Sequence, residues 1–260
     1  MPFGLSAAAC ETVYSRRMPS EPPGSALDAA IDRLYTVFST VPRPAAIDLC
    51  PCCMTEAEAA AILVPVPLRE LRTEVLAPYA GDVLLTVGSV ADFRYFLPRI
   101  FDIACTSGFD WPELEPLFRR LRDAAWTAWA AEEQAGIRGL LQAYWEQTLA
   151  VGEHDAGTVL CAIGNAEDDL GPYLDEWTAA LGHPTAAAEL RDLLQHGTRW
   201  KHGTMRLTNA FWGRRGAQVL QWLGGAELRA AVAQAFAAAA SEASLQALAD
   251  IDDLLAVHGR

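Results

Sequence analysis

Apolar residues return at spacings of three and four along most of the chain, the period of a helix with one buried face. From Ala26, the run ALDAAIDRLYTVF sets Leu27, Ala30, Ile31, Leu34 and Phe38 on one side, and Pro42 and Pro44 end it. Thr55 followed by Glu58 has the spacing of a capping box, in which each side chain satisfies the other residue's free N–H, and it predicts a short helix over residues 56–63. Pro65 and Pro67 break the chain, which restarts with a proline in the first turn. Ser89 caps the next helix, where Phe93, Phe96, Leu97, Ile100, Phe101 and Ala104 make a broad stripe that Gly108 stops. Pro98 inside that stripe removes a hydrogen bond and predicts a bend.

Residues 110–152 read as one or two long helices, eased by Pro116 and by Gly136 or Gly139. Helices over 155–163, 165–181 and 185–195 follow, and after HGTRWKHGT three more open near Met205, Ala226 and Ser241. VLLTV, residues 83–87, is the one contender for a strand and is too isolated to make a sheet. The expected fold class is therefore all-α: about ten to twelve helices in an irregular array, with a solenoid as its more regular variant. No fixed repeat emerges from sliding the sequence against itself. Residues 25–260 read as a single helical domain with a candidate sub-boundary at 197–203; residues 1–24, polar, proline-rich and aperiodic, read as a disordered tail in which Met18 is a second candidate start.

Composition narrows the partners. With 260 residues, about half of them apolar, the chain can bury a sizeable core. Its 33 acidic residues against 20 basic give a formal net charge of -13, a field that repels nucleic acid and anionic lipid and steers a basic partner inward. No apolar run reaches the roughly 18 to 20 residues of a membrane span, and the start lacks the basic region of a secretory signal. A cytoplasmic location is expected, where the six cysteines are thiols or ligands rather than disulfides.

Three places carry candidate chemistry. Cys50 and Cys53, with Cys52 between them, have the spacing at which one turn lets two thiolates grip a zinc ion, or at which a reversible disulfide forms. A structural zinc needs four ligands, so Cys105, Cys161 or a histidine has to arrive through the fold; otherwise the thiols pack a corner. In DFRYFLPRI, Arg94 and Arg99 have Asp92 and Asp102 within helical reach, which points to ion pairing. HGTRWKHGTMR gathers Arg199, Lys201, His202 and Arg206 around Trp200, with His196 before it and Arg214 and Arg215 after it. Gly197 and Gly203 make it a flexible loop, expected to dock an anionic group of a ligand or partner at the start of a helix beginning near Thr204. There is no glycine-rich phosphate loop, no Gly-x-Ser-x-Gly elbow and no His-Glu-x-x-His.

LCPCC, DFRYFLPRI and LTNAFWGRRGAQVLQWL, in that order, resemble a bacterial family of all-helical proteins with a Cys-x-x-Cys pair and a Phe-Leu-Pro-Arg-Ile segment. The resemblance covers residues 26–260, makes Cys50 and Cys53 the pair with Cys52 an addition, and implies no activity, cofactor or catalytic residue. The expected function is that of a non-catalytic cytoplasmic scaffold binding a protein or peptide. The alternative is a thiol, zinc or redox-sensing protein using Cys50 and Cys53. An enzyme site assembled from His196, His202, Arg206 and a distant carboxylate ranks third.

Overall fold

Serine and threonine cap three helix starts, two of them, Thr55 and Ser89, where the sequence places a cap. A computed structural model describes residues 25–201 and 204–258, so the tail over 1–24 and His202 lie outside the described residues. Capping boxes open α1 (Ala26–Val37, Ser25 with Asp28), α2 (Glu56–Ile62, Thr55 with Glu58) and α4 (Val90–Cys105, Ser89 with Asp92). Between the last two lies α3 (Thr73–Asp82). There follow α5 (Leu114–Asp123), α6 (Ala131–Val151), α7 (Ala156–Ala166, capped by Asp155), α8 (Gly171–Ala179) and α9 (Pro184–His196). A hairpin of β1 (Thr198–Lys201) and β2 (Thr204–Leu207) comes next, then α10 (Gly216–Leu223), α11 (Ala226–Ala238) and α12 (Glu242–His258). The fold is all-α, with one small antiparallel ribbon among the described residues.

Several boundaries differ from expectation, each for a local reason. The break in residues 110–152 falls at Ala125, which takes a left-handed conformation (φ 52°) ahead of a tight turn over Trp126–Ala128. Gly136 and Gly139 sit inside the continuous α6; Gly136 faces α1, where a Cβ would lie 3.6 Å from Leu34 and Val37. Asn165 belongs to α7, and the next helix waits until Gly171. VLLTV is a tight turn with Leu84 at φ 64°, in which the Thr86 N–H donates to the Asp82 carbonyl.

Helix α1 packs along α6, α5 against α7, and α9 against α12. These partners are separated by intervening helices, whereas a solenoid stacks each unit on its neighbour in sequence, so the array is irregular. The buried side chains from Leu27 to Leu255 form one continuous cluster, on both sides of residues 197–203. Within it Trp145, Trp177 and Trp222 stand in a row, with ring centroids 5.2 and 5.3 Å apart. Their N–H groups donate to the Tyr173 carbonyl, the Ala186 carbonyl and the Thr178 hydroxyl, so the row costs no unsatisfied donor.

Both arginines of DFRYFLPRI are structural. Arg99 donates to the Leu71 carbonyl (2.8 Å) and to Asp102 (2.9 Å), which also accepts from the Tyr35 hydroxyl. Arg94 pairs with the buried Glu133 and lies over Trp129. Among the described residues no helix is long and apolar enough to cross a membrane.

Candidate functional site

Helix α9 ends where the Gly197 N–H donates to the Leu193 carbonyl (2.9 Å), and the chain then turns into the ribbon. The register pairs Thr198 with Leu207, Arg199 with Arg206, Trp200 with Met205 and Lys201 with Thr204. Opposed residues share a face and successive residues alternate, so the ribbon has two unlike sides. Thr198, Trp200, Met205 and Leu207 make one: Thr198 is buried and donates to the Leu194 carbonyl (2.8 Å), while Met205 and Leu207 pack on the core. Arg199, Lys201, Thr204 and Arg206 make the other, and all four are exposed.

The structure thus brings Arg199, Lys201 and Arg206 together and puts Trp200, 41% exposed, on the opposite side. Two arginines directly across a ribbon repel each other. Among the described residues none of the three cations is in an ion pair with a carboxylate. His196 stays on α9, 3.7 Å from Asp192. Arg215 pairs with Asp168 and Arg214 lies beside it, both past Gly213 in a short helical stretch, Ala210–Arg215, outside the ribbon.

One expectation is overturned. No helix begins near Thr204, because Thr204–Leu207 is a strand and helical geometry first returns at Ala210. Among the described residues no helix start therefore adds free N–H groups to the cationic face, where Arg199, Lys201 and Arg206 are the groups that attract an anion. The ribbon escaped the periodicity because two four-residue strands fall below the length at which alternation is distinctive; the available signal was TRWK and TMRL alternating on either side of a glycine.

The cysteine turn is strapped to the loop after α3. The Cys50 N–H donates to the Thr86 carbonyl (3.1 Å), the Gly88 N–H to the Asp48 carbonyl (2.7 Å), and Leu49 bridges to Val87. The Cys53 and Met54 N–H groups both close on the Cys50 carbonyl. Cys52 and Cys53 are exposed and Cys50 is half-buried. The Cys50 thiol is held below its ordinary pKa, first by the Cys52 backbone N–H and then by the Cys53 side chain, while Cys52 is raised by its hydrogen bond to Cys50. Cys105 and Cys161 are buried in the core, their thiols pushed up by desolvation. Among the described residues no group of three or more histidine, cysteine or carboxylate side chains is placed to hold a metal ion.

No protein-family model matches the chain, nor does any curated protein or solved structure.

Proposed function

We propose that the chain is a non-catalytic cytoplasmic scaffold that holds an acidic segment of a protein partner on the outer face of its ribbon. One observation carries this reading: Arg199, Lys201 and Arg206 share an exposed face, with two of them directly opposed, and none is in an ion pair among the described residues. A carboxylate between the two guanidiniums turns a repulsion into two charge-assisted hydrogen bonds. The net charge of -13 does not oppose this at contact, because screening over about 8 Å at physiological salt leaves nearby cations dominant. A partner with basic flanks around its acidic segment gains from both fields.

The test is binding of a labelled oligoglutamate peptide at physiological salt, followed by fluorescence anisotropy. Replacing Arg199, Lys201 and Arg206 together by alanine weakens binding at least tenfold, with stability within about 0.5 kcal/mol of wild type. Equal binding by the variant, or no saturable binding by the wild type, overturns the reading.

A second reading, thiol or zinc chemistry at Cys50 and Cys53, rests on the depressed Cys50 thiol. It expects iodoacetamide to modify Cys50 at lower pH than Cys52, and zinc near one equivalent that a Cys50→Ser, Cys53→Ser double variant loses. The reverse alkylation order together with metal-free protein retires it.

A further inference from the structure

Residues of α5, α7 and the stretch Ala210–Arg215 line a pocket of about 330 Å³. Four arginines line it, Arg119, Arg122, Arg214 and Arg215, together with Asn165 and Phe211, and no carboxylate is in its lining. Four of the chain's 20 basic residues thus converge on one concavity of a protein with net charge -13.

Each arginine stands differently toward a ligand. Arg122 is a clamp: it donates to the Asn165 and Glu167 carbonyls (3.0 and 2.6 Å) and to Asp168 (2.7 Å), fixing the loop between α7 and α8. Arg215 reaches the same oxygen of Asp168, so two guanidiniums share one carboxylate oxygen. Arg119 holds Asp123 only at 3.5 Å, and Asp123 is engaged more closely by Arg120 at 3.1 Å. Glu167, the next carboxylate, is taken by Arg138. Arg214 is exposed and in no ion pair among the described residues. Asp168 and Asp123 therefore serve four guanidiniums, those of Arg122, Arg215, Arg119 and Arg120, with Arg214 in addition, and positive charge is left over at the pocket. Burial and the neighbouring Arg122 both hold the Arg215 pKa below its ordinary value.

The backbone is arranged around this concentration. Gly213 takes φ 50°, ψ -138°, a conformation that favours glycine, and it separates the buried Trp212 from Arg214 and Arg215. Gly164 lets α7 lie close, since a Cβ there would stand 3.3 Å from the Arg215 Cβ. Asn165 donates to the Phe211 carbonyl (3.0 Å) and pins the wall from below. The Phe211 ring, 44% exposed, offers a flat apolar surface beside the charge.

We propose that this pocket binds a phosphate monoester of a small ring-bearing molecule, with Arg119 and Arg214 closing on the phosphate and Phe211 flanking the ring. Planar guanidiniums match phosphate oxygens in pairs, a dianion answers the surplus charge better than one carboxylate, and the volume suits a phosphate plus one ring. The site is separate from the ribbon face and does not depend on its role.

Isothermal titration of the full chain with phenyl phosphate, inorganic phosphate and benzoate tests the proposal. Phenyl phosphate binds saturably, one per chain, and more tightly than inorganic phosphate. An Arg119→Ala, Arg214→Ala variant, folded by circular dichroism, binds it at least tenfold more weakly. Phe211→Ala removes the advantage of phenyl phosphate over inorganic phosphate, and the Arg199, Lys201, Arg206 triple alanine variant binds as wild type. No saturable binding, undiminished binding by the double variant, benzoate binding as tight as phenyl phosphate, or loss in the ribbon variant overturns it.

Discussion

Arg199 faces Arg206 across the ribbon, and this pair makes stability and function pull in opposite directions. Like charges opposed on neighbouring strands destabilise, whereas opposite charges there contribute roughly 0.2–1 kcal/mol. Arg199→Glu is therefore expected to raise the melting temperature while weakening oligoglutamate binding, a combination that a purely structural ribbon does not produce. A fall in melting temperature would show instead that Arg199 has a stabilising role within the fold. The same contrast separates this cluster from Arg94 and Arg99, which are engaged by Glu133, Asp102 and the Leu71 carbonyl. Those pairings were legible as helical spacing only for Arg99; Arg94 passes over Asp92 for a carboxylate on α6.

At the scale of elements, the helices announced themselves where a stripe coincided with a cap. Thr55 with Glu58 and Ser89 cap their helices where the sequence places them, whereas Asp155, expected as the first helical residue, is the cap of α7. The misplaced boundaries lack such a mark. Ala125 enters the left-handed region although alanine carries no turn preference, and the neighbouring Trp126 explains why: it is buried, donating to the Ala166 carbonyl (3.1 Å), so tertiary packing rather than local propensity decides the break. The ribbon was hidden for a different reason. Its outer face consists of the same basic residues that mark a solvated loop, and its inner face offers only Thr198, Trp200, Met205 and Leu207 as an apolar signal.

For the molecule as a whole, half-buried carboxylates shape how stability follows pH. Glu167, Glu176 and Glu189 are all pushed above the ordinary carboxylate range, in each case by burial before any other cause. A raised folded-state pKa means that the folded chain binds protons more readily than the unfolded one. Their contribution is therefore fully present below the unfolded carboxylate value of about 4.3 and is lost as pH rises through the raised values. Glu58 has the opposite sign, its pKa lowered by the Thr55 N–H and hydroxyl, and its contribution disappears only in more acidic solution. Self-repulsion at a net charge of -13 adds to the loss toward neutrality. The melting temperature should thus rise as pH is lowered from neutrality toward the ordinary carboxylate range, measured by thermal unfolding in matched buffers. Glu189→Gln, which keeps an oxygen to accept the Ala156 N–H, should stabilise the protein at pH 7 and flatten that rise. An unchanged slope in the variant would show that Glu189 does not carry it.

The arginine pocket is a property of this largest scale as well. Arg119 and Arg122 lie some ninety residues before Arg214 and Arg215, and nothing in either run mentions the other. Only the packing of α7 against the stretch Ala210–Arg215 brings them to one wall.

The Thr208 N–H donates to the Gly197 carbonyl at 2.9 Å, so the chain leaves the helical body for the ribbon and re-enters it at a single point. An excursion whose two ends are already joined can change the side chains of its outer face while the frame beneath it stays as it is. Descendants of this chain are then free to change the outer residues Arg199, Lys201, Thr204 and Arg206 one substitution at a time, while Thr198, Met205 and Leu207 stay tied to the core.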